Sequence, residues 1–272
     1  MGIDPFLINN RIFMLALDHR GSVEKMLPAG VPRADTIIDI KRMLISALSP
    51  YYSGVLLDSD YGLKAYKQSK HSNKPYLLCI EKTGYTDTDH ERITNLEHSV
   101  KELKDKGAKG VKILLFFHPD AKTASDQIAL TRKVNEDCKA NELPFFLEIL
   151  NYPLNEMRYD PSDLLPRSVK IFLDEHIRAD VFKLEFPGNA KACQEVTGLL
   201  GDTPWILLTK GETFEKFKAG LTIAAQNGAR GFLAGRSLWQ DFTRLPQEKW
   251  EEFIQTTVQN RFLTISQIVS AP

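Results

Sequence analysis

The segment Asp180-Val181-Phe182-Lys183-Leu184-Glu185-Phe186-Pro187 sets a lysine in the middle of an apolar, strand-like run. Taking an ammonium out of water is costly unless a carboxylate pairs with it or it gives up its proton. A lysine in a core strand therefore has either a structural partner or a task that uses a neutral amine. The pattern recurs in Val111-Lys112-Ile113-Leu114, and a glutamate takes the same place in Phe145-Phe146-Leu147-Glu148-Ile149. These residue types suit covalent amine catalysis, in which a lysine attacks a ketone, loses water and becomes a protonated imine that acts as an electron sink. Free lysine has a pKa of about 10.4, so only about one in a few thousand is neutral at pH 7. Burial beside a second cation such as Lys112 lowers that value, and a carboxylate such as Glu148 can shuttle the protons.

Such groups work only if the chain brings them together. Short apolar runs at 12–17, 54–57, 76–80, 111–116, 145–149, 180–185, 205–208 and 231–234 read as strands. Helical stretches at 34–48, 63–69, 94–106, 123–140, 162–175, 190–199 and 212–227 alternate with them, and 247–269 closes the chain. Strands that each lead into a helix through short connections imply a parallel sheet with crossover helices. Eight such units close a (β/α)8 TIM barrel. An open doubly wound sheet would carry a Gly-rich turn after its first strand, and none stands there. No linker, repeat or composition shift divides the chain, so residues 1–272 read as a single α/β barrel domain. The opening Met1 to Phe6 carries no readable chemistry.

The composition, 43% hydrophobic and 26% charged, is that of a globular protein. Lys+Arg and Asp+Glu balance at 35 each, so no global basic field invites nucleic acid or an anionic membrane, and an anionic ligand must be held locally. Cys79, Cys138 and Cys193 lack metal-type spacing and form an odd set, which reads as reduced thiols. The start lacks the basic and apolar regions of a signal peptide, and no apolar run is long enough to span a bilayer. A cytoplasmic enzyme is the expectation.

Barrel active sites lie at the C-terminal ends of the strands, and the polar residues there form a coherent set. Strand one ends in Asp18-His19-Arg20-Gly21, strand two in Asp58-Ser59-Asp60, and strand three in Glu81-Lys82-Thr83-Gly84. Lys112, Glu148 and Lys183 follow on strands four to six. Strands seven and eight end in Thr209-Lys210-Gly211 and Gly235-Arg236-Ser237. Lys183, Glu148, Lys112 and Asp18 are the catalytic candidates. Arg20, Thr209, Lys210, Gly211, Gly235 and Arg236 are candidates for holding the substrate, with glycine-flanked loops offering backbone N–H groups and Arg236 charge-assisted bonds to a phosphate. Each residue also admits a plainer reading. Lys183 can be the structural partner of Glu185 or Glu148, Glu148 a mere counter-ion, Asp18 a loop-fixing carboxylate, and Glu81 and Lys82 a loop ion pair.

The chain resembles the class I aldolases of the tagatose-1,6-bisphosphate and sulfofructosephosphate aldolase type. The resemblance rests on Ala16-Leu17-Asp18-His19-Arg20, Val111-Lys112-Ile113-Leu114, Leu147-Glu148, Phe182-Lys183-Leu184-Glu185-Phe186-Pro187, Pro204-Trp205-Ile206-Leu207-Leu208 and the run from Gly228 to Trp239. It implies an imine-forming Lys183, an acid/base Glu148, an assisting Lys112, and an Asp18 that orients substrate hydroxyls. It also implies a phosphate grip around Gly211 and Gly235 with Arg236. The implied reaction is the reversible, metal-free and cofactor-free cleavage of a phosphorylated ketose to dihydroxyacetone phosphate and an aldehyde. Homo-oligomers are common in that family. Two positions depart from it: His19 stands where many relatives have glutamine, and Lys210 where a small residue is usual.

Three other readings stay open at this stage. The Asp18-His19-Arg20-Gly21-Ser22 segment is also similar to the deoxy-keto-gluconate phosphate aldolase of inositol catabolism. A metal-dependent barrel lyase would use Asp18, Asp58, Glu81 and Glu148 as oxygen ligands. A sugar-phosphate-binding protein without turnover commonly loses Lys183 or Glu148, and the presence of both favours catalysis.

Overall fold

Alternation along the strands decides which side chains enter the barrel. The structure, a computed structural model, describes residues 2–27, 33–69, 73–154 and 159–271. Its strands are β1 (Ile12–Leu17), β2 (Gly54–Leu57), β3 (Tyr76–Cys79), β4 (Thr86–Thr88), β5 (Glu91–Ile93), β6 (Gly110–Phe117), β7 (Phe145–Asn151), β8 (Val181–Leu184), β9 (Trp205–Leu208) and β10 (Gly231–Ala234). Eight of them close a parallel barrel in the order β1-β2-β3-β6-β7-β8-β9-β10, with β10 pairing back onto β1. Helices pack around it, among them Arg33–Leu48, Ala124–Ala140, Pro161–Asp174 and Phe214–Gln226. The expected (β/α)8 TIM barrel is the observed fold. Among the described residues no helix is long and apolar enough to cross a membrane.

Odd and even residues of each strand fall into two separate apolar layers. Phe13, Leu15 and Leu17 of β1, with Phe182 and Leu184 of β8, join the outer layer between strands and helices. Ile12, Met14, Ala16, Phe146, Val181, Ile206 and Leu233 fill the lower interior. Phe6 completes that interior from below. The turn of 3-10 helix Asp4–Phe6 puts its ring, with no exposed surface, edge-on to Phe146 at 5.5 Å between centroids. The opening segment, unreadable in the sequence, is thus the plug of the barrel floor, and burying one such ring contributes about 2 kcal/mol. Where apolar packing stops, at the upper interior, the polar side chains begin.

Three elements depart from the expected boundaries. The helix expected over 94–106 begins only at Val100, because Ser99 and Glu102 form a reciprocal capping box that fixes the start there. Thr94 instead accepts a hydrogen bond from the Phe116 N–H at 3.1 Å. Before it comes an unanticipated antiparallel hairpin, β4–β5, turned by Asp89 and His90, both at positive φ. Arg92 of this hairpin lies between the rings of Tyr85 (4.8 Å) and Tyr152 (5.0 Å), bracing the mouth of the barrel beside Phe116. The closing helix contains a π-helical stretch, Ile254–Val258, ahead of Gln259–Ser270.

Candidate active site

Parallel register sets Lys183 of β8 beside Glu148 of β7 and Leu114 of β6 beside Glu148, while Lys112 lies two residues lower on β6. All three polar side chains point into the barrel and are almost fully buried, with exposures of 4% for Lys183, 4% for Glu148 and 0% for Lys112. Lys183 Nζ lies 2.7 Å from Glu148 Oε2, its one ion-pair partner among the described residues. Lys112 Nζ has three carboxylates around it: Asp18 at 2.8 Å, Glu148 at 3.3 Å, and Glu81 in short contact. Glu148 therefore bridges the two lysines. These groups form the floor of an open cavity of about 340 Å³ at the C-terminal ends of the strands.

The charges within this cluster are not equivalent. Burial works against the Lys112 ammonium, yet Asp18, Glu81 and Glu148 hold its pKa well above that of an ordinary lysine. Burial likewise works to raise the Asp18 carboxyl, but Lys112, Lys183 and His19 hold it well below the usual carboxylate range. Glu81 moves the other way: burial raises it, Asp18 and Glu148 add to the rise, and Lys112 only opposes it. At neutral pH Lys112 is thus a fixed cation and Asp18 a fixed anion. Environments that push neighbouring carboxyls apart in this way separate a proton carrier from a permanent charge.

His19 lies edge-on to Trp239 at 5.9 Å and against Gly235, where an added Cβ would come within 2.7 Å of its ring. Burial drives the imidazole pKa down to about 3 against the pull of Asp18, with Arg236 and Lys183 adding to the depression. A folded-state value below the unfolded one gives stability that is present above about pH 6.5 and lost as pH falls towards 3. A His19→Gln variant should accordingly lose less stability than the parent between pH 6.5 and pH 4, as read by urea unfolding at each pH. Parallel curves would show that His19 accepts its proton in the folded state as easily as in the unfolded one.

The rest of the expected set divides. Thr209, Lys210, Gly211 and Arg236 line the cavity on the β9–β10 side. Gly211 has a φ of +73°, and a Cβ there would sit 2.9 Å from the Arg236 guanidinium, so only glycine lets that cation lie over the turn. Burial draws the Arg236 pKa down and Asp18 opposes it; its Nε is buried without a hydrogen-bond partner among the described residues. Gly235 supports this side from beneath His19 and does not itself line the cavity. Arg20 borders the cavity, but its guanidinium is engaged by Glu97, by Asp60 at 3.2 Å and by the Glu81 carbonyl at 3.0 Å. The Lys210 ammonium turns away to Glu185 at 2.7 Å and the Tyr159 hydroxyl at 2.9 Å.

Glu81, read from the residues as a loop partner of Lys82 or a metal ligand and not among the catalytic candidates, is instead a member of the cluster through Lys112. It stands one residue past Ile80 at the C-terminal end of the third barrel strand, much as Asp18 stands at the end of β1, and that shared place was the available signal. The four carboxylates considered as metal ligands do not converge. Asp58 pairs with buried Lys41 and accepts the N–H groups of Asp60, Tyr61 and Gly62, which fixes the start of the next helix. The Lys112 ammonium occupies the centre that Asp18, Glu81 and Glu148 share.

Residues 12–241, the barrel with its full set of polar strand ends, match the family model described as DeoC/LacD family aldolase. The chain belongs to this aldolase family. It is an aldehyde-lyase. Among the relatives of this DeoC/LacD aldolase is tagatose 1,6-diphosphate aldolase 1 of Streptococcus mutans, 32% identical, the match covering 89% of this chain and 85% of that one. The tagatose 1,6-diphosphate aldolase of Listeria monocytogenes serotype 4a is 31% identical over 85% of this chain and 78% of its own. An archaeal fructose-1,6-bisphosphate aldolase, solved with its catalytic lysine bound to the carbinolamine intermediate, has a TM-score of 0.67 and covers 96% of this chain and 97% of that one. At 16% identity that likeness speaks to the fold.

Proposed function

We propose that this aldolase reversibly cleaves a phosphorylated ketose to dihydroxyacetone phosphate and an aldehyde, with Lys183 as the imine-forming residue. The observation that carries the assignment is the contrast between the two interior lysines. Lys112 is locked as a cation by three carboxylates, whereas Lys183 shares a single carboxylate with it and opens onto the cavity. The relatives named for a ketose diphosphate support a phosphorylated ketose as the substrate class.

In this reading the neutral Lys183 amine adds to the ketose carbonyl carbon, and Glu148, 2.7 Å away, passes protons until the carbinol oxygen leaves as water. The resulting iminium carries the positive charge. A base removes the proton from the C4 hydroxyl, the C3–C4 bond breaks, and its electron pair neutralises the iminium to an enamine as the aldehyde departs. Protonation at C3 and hydrolysis then return Lys183 and release dihydroxyacetone phosphate. Fixed in its charge, Asp18 accepts hydrogen bonds from substrate hydroxyls, and Lys112 keeps Asp18 and Glu148 in place. Glu81, with its raised pKa, is a second proton carrier.

Arg236 and the Gly211 turn hold the phosphate. An Arg236→Ala variant is expected to raise KM for the phosphorylated ketose by about 10- to 100-fold, the worth of one or two charge-assisted hydrogen bonds. The unphosphorylated ketose should be far less affected, and equal losses with both substrates would remove this assignment. The function itself is tested by following dihydroxyacetone phosphate release from a panel of ketose 1-phosphates and 1,6-bisphosphates with a coupled reductase. Release of a different three-carbon product would redirect it. A cytoplasmic location belongs to this reading, and the three cysteines, buried and free, agree with it.

A further inference from the structure

We propose that Lys210 is a positioning residue: its ammonium, clamped by Glu185 and Tyr159 outside the cavity, holds the Lys210-Gly211 turn in the shape that presents the phosphate site. The inference rests on the aldolase reading above and goes beyond it by joining the amine-bearing strand to the phosphate turn.

The backbone supplies the first argument. Lys210 has a φ of +50° and Gly211 a φ of +73°, two successive left-handed residues. Glycine adopts that region freely, but a residue with a Cβ stays there only where its surroundings hold it. Here the holding comes from two sides. On one, Ser237 Oγ donates to the Glu212 carbonyl at 2.6 Å and Gln240 Nε2 to the same carbonyl at 3.2 Å. On the other, the Lys210 side chain reaches Glu185 Oε2 at 2.7 Å and the Tyr159 hydroxyl at 2.9 Å, with its ammonium 4.4 Å from the centre of the Tyr159 ring.

The anchor of that second tether is itself fixed. Glu185 is 4% exposed, accepts the Asn151 N–H at 3.2 Å through its other oxygen, and receives the Tyr159 hydroxyl in a short contact. Glu185 stands two residues after Lys183, just past the end of β8, yet it lines a second cavity behind the strand ends and not the active one. The pair therefore ties the strand that carries the amine to the turn that receives the phosphate. A fixed spacing between nucleophile and anchor is what orientation in catalysis demands. A direct phosphate ligand would instead turn its ammonium into the active cavity, where Arg236 already lies over Gly211.

The test is a double-mutant cycle in KM, measured on a ketose phosphate and on its unphosphorylated ketose, with Lys210→Met, Glu185→Gln and the pair. Each single change is expected to raise KM for the phosphorylated substrate about tenfold, and the pair no more than the larger single effect, because the Lys210–Glu185 ion pair is lost in all three. The unphosphorylated ketose should show no comparable rise. Lys210→Gly should recover most of the KM that Lys210→Ala loses, since glycine takes the turn without a tether. A rise with Lys210→Met but none with Glu185→Gln would make Lys210 a direct anion ligand and overturn the proposal. Equal KM values for Lys210→Gly and Lys210→Ala would do the same. Should Glu185→Gln fail to fold, Tyr159→Phe takes its place in the cycle. A parent enzyme with no preference for the phosphorylated ketose would overturn the phosphate grip itself, and this proposal with it.

Discussion

A Lys183→Met variant folds to the same barrel and cleaves no ketose. Methionine matches the length of the lysine stem, so the interior loses an ammonium but gains no void. Glu148, which would otherwise be stranded, keeps Lys112 at 3.3 Å as its counter-ion. Stability should therefore change by no more than about 2 kcal/mol, within the ordinary range for a core substitution. Turnover should fall by at least about a thousandfold, because the covalent route has no substitute amine. Lys112 does not replace it: Asp18, Glu81 and Glu148 hold its proton. Steady-state cleavage together with thermal unfolding separates these effects. A variant that unfolds early would assign Lys183 to structure, and one that still turns over would assign the chemistry elsewhere.

Removing the other lysine has the opposite balance. A Lys112→Met variant leaves Asp18, Glu81 and Glu148 crowded together without the cation they surround. Breaking a buried ionic cluster by deleting one partner costs about 3–5 kcal/mol, the penalty of uncompensated buried charge. Relief comes only when the carboxylates take up protons. In the parent, Asp18 has a depressed pKa, so its contribution is present above the ordinary aspartate value and lost as pH falls below it. The sign inverts in the variant, where crowding raises the carboxyl pKa values above those of the unfolded chain and stability grows as pH drops from 7 towards 5. Urea unfolding at pH 5 and pH 7 reads this directly. A variant that is less stable at pH 5 than at pH 7 would mean that Lys112 is not what keeps those carboxylates ionised. Activity should fall as well, since Asp18 and Glu148 lose their shared anchor.

The strands of the barrel were legible because each is a short apolar run bounded by turn residues, and the interior Lys112, Glu148 and Lys183 stood out against that background. What was not legible depended on contacts distant in sequence. Nothing about Phe6 marks it as a floor plug until β7 places Phe146 opposite it. The β4–β5 hairpin carries few apolar residues, and Arg92 is held by rings from three separate segments. The late start of the helix at Val100 was readable in principle, because Ser99-Val100-Lys101-Glu102 is a capping-box sequence. Within the site, residue types indicated which groups meet but not how their charges divide. Lys112 and Lys183 look alike in the chain, and only the three carboxylates around Lys112 distinguish them. The same holds for Lys210, a surplus cation in the sequence whose partners Glu185 and Tyr159 come from other loops.

The central claim is that Lys183 forms the imine, and borohydride reduction in the presence of dihydroxyacetone phosphate addresses it in one step. Reduction of the imine leaves a stable secondary amine, which intact mass detects and peptide mapping assigns to a residue. A single adduct on the peptide carrying Lys183, absent from Lys183→Met, is the expected result. An adduct on Lys112, or none from an enzyme that turns over its ketose, would contradict it.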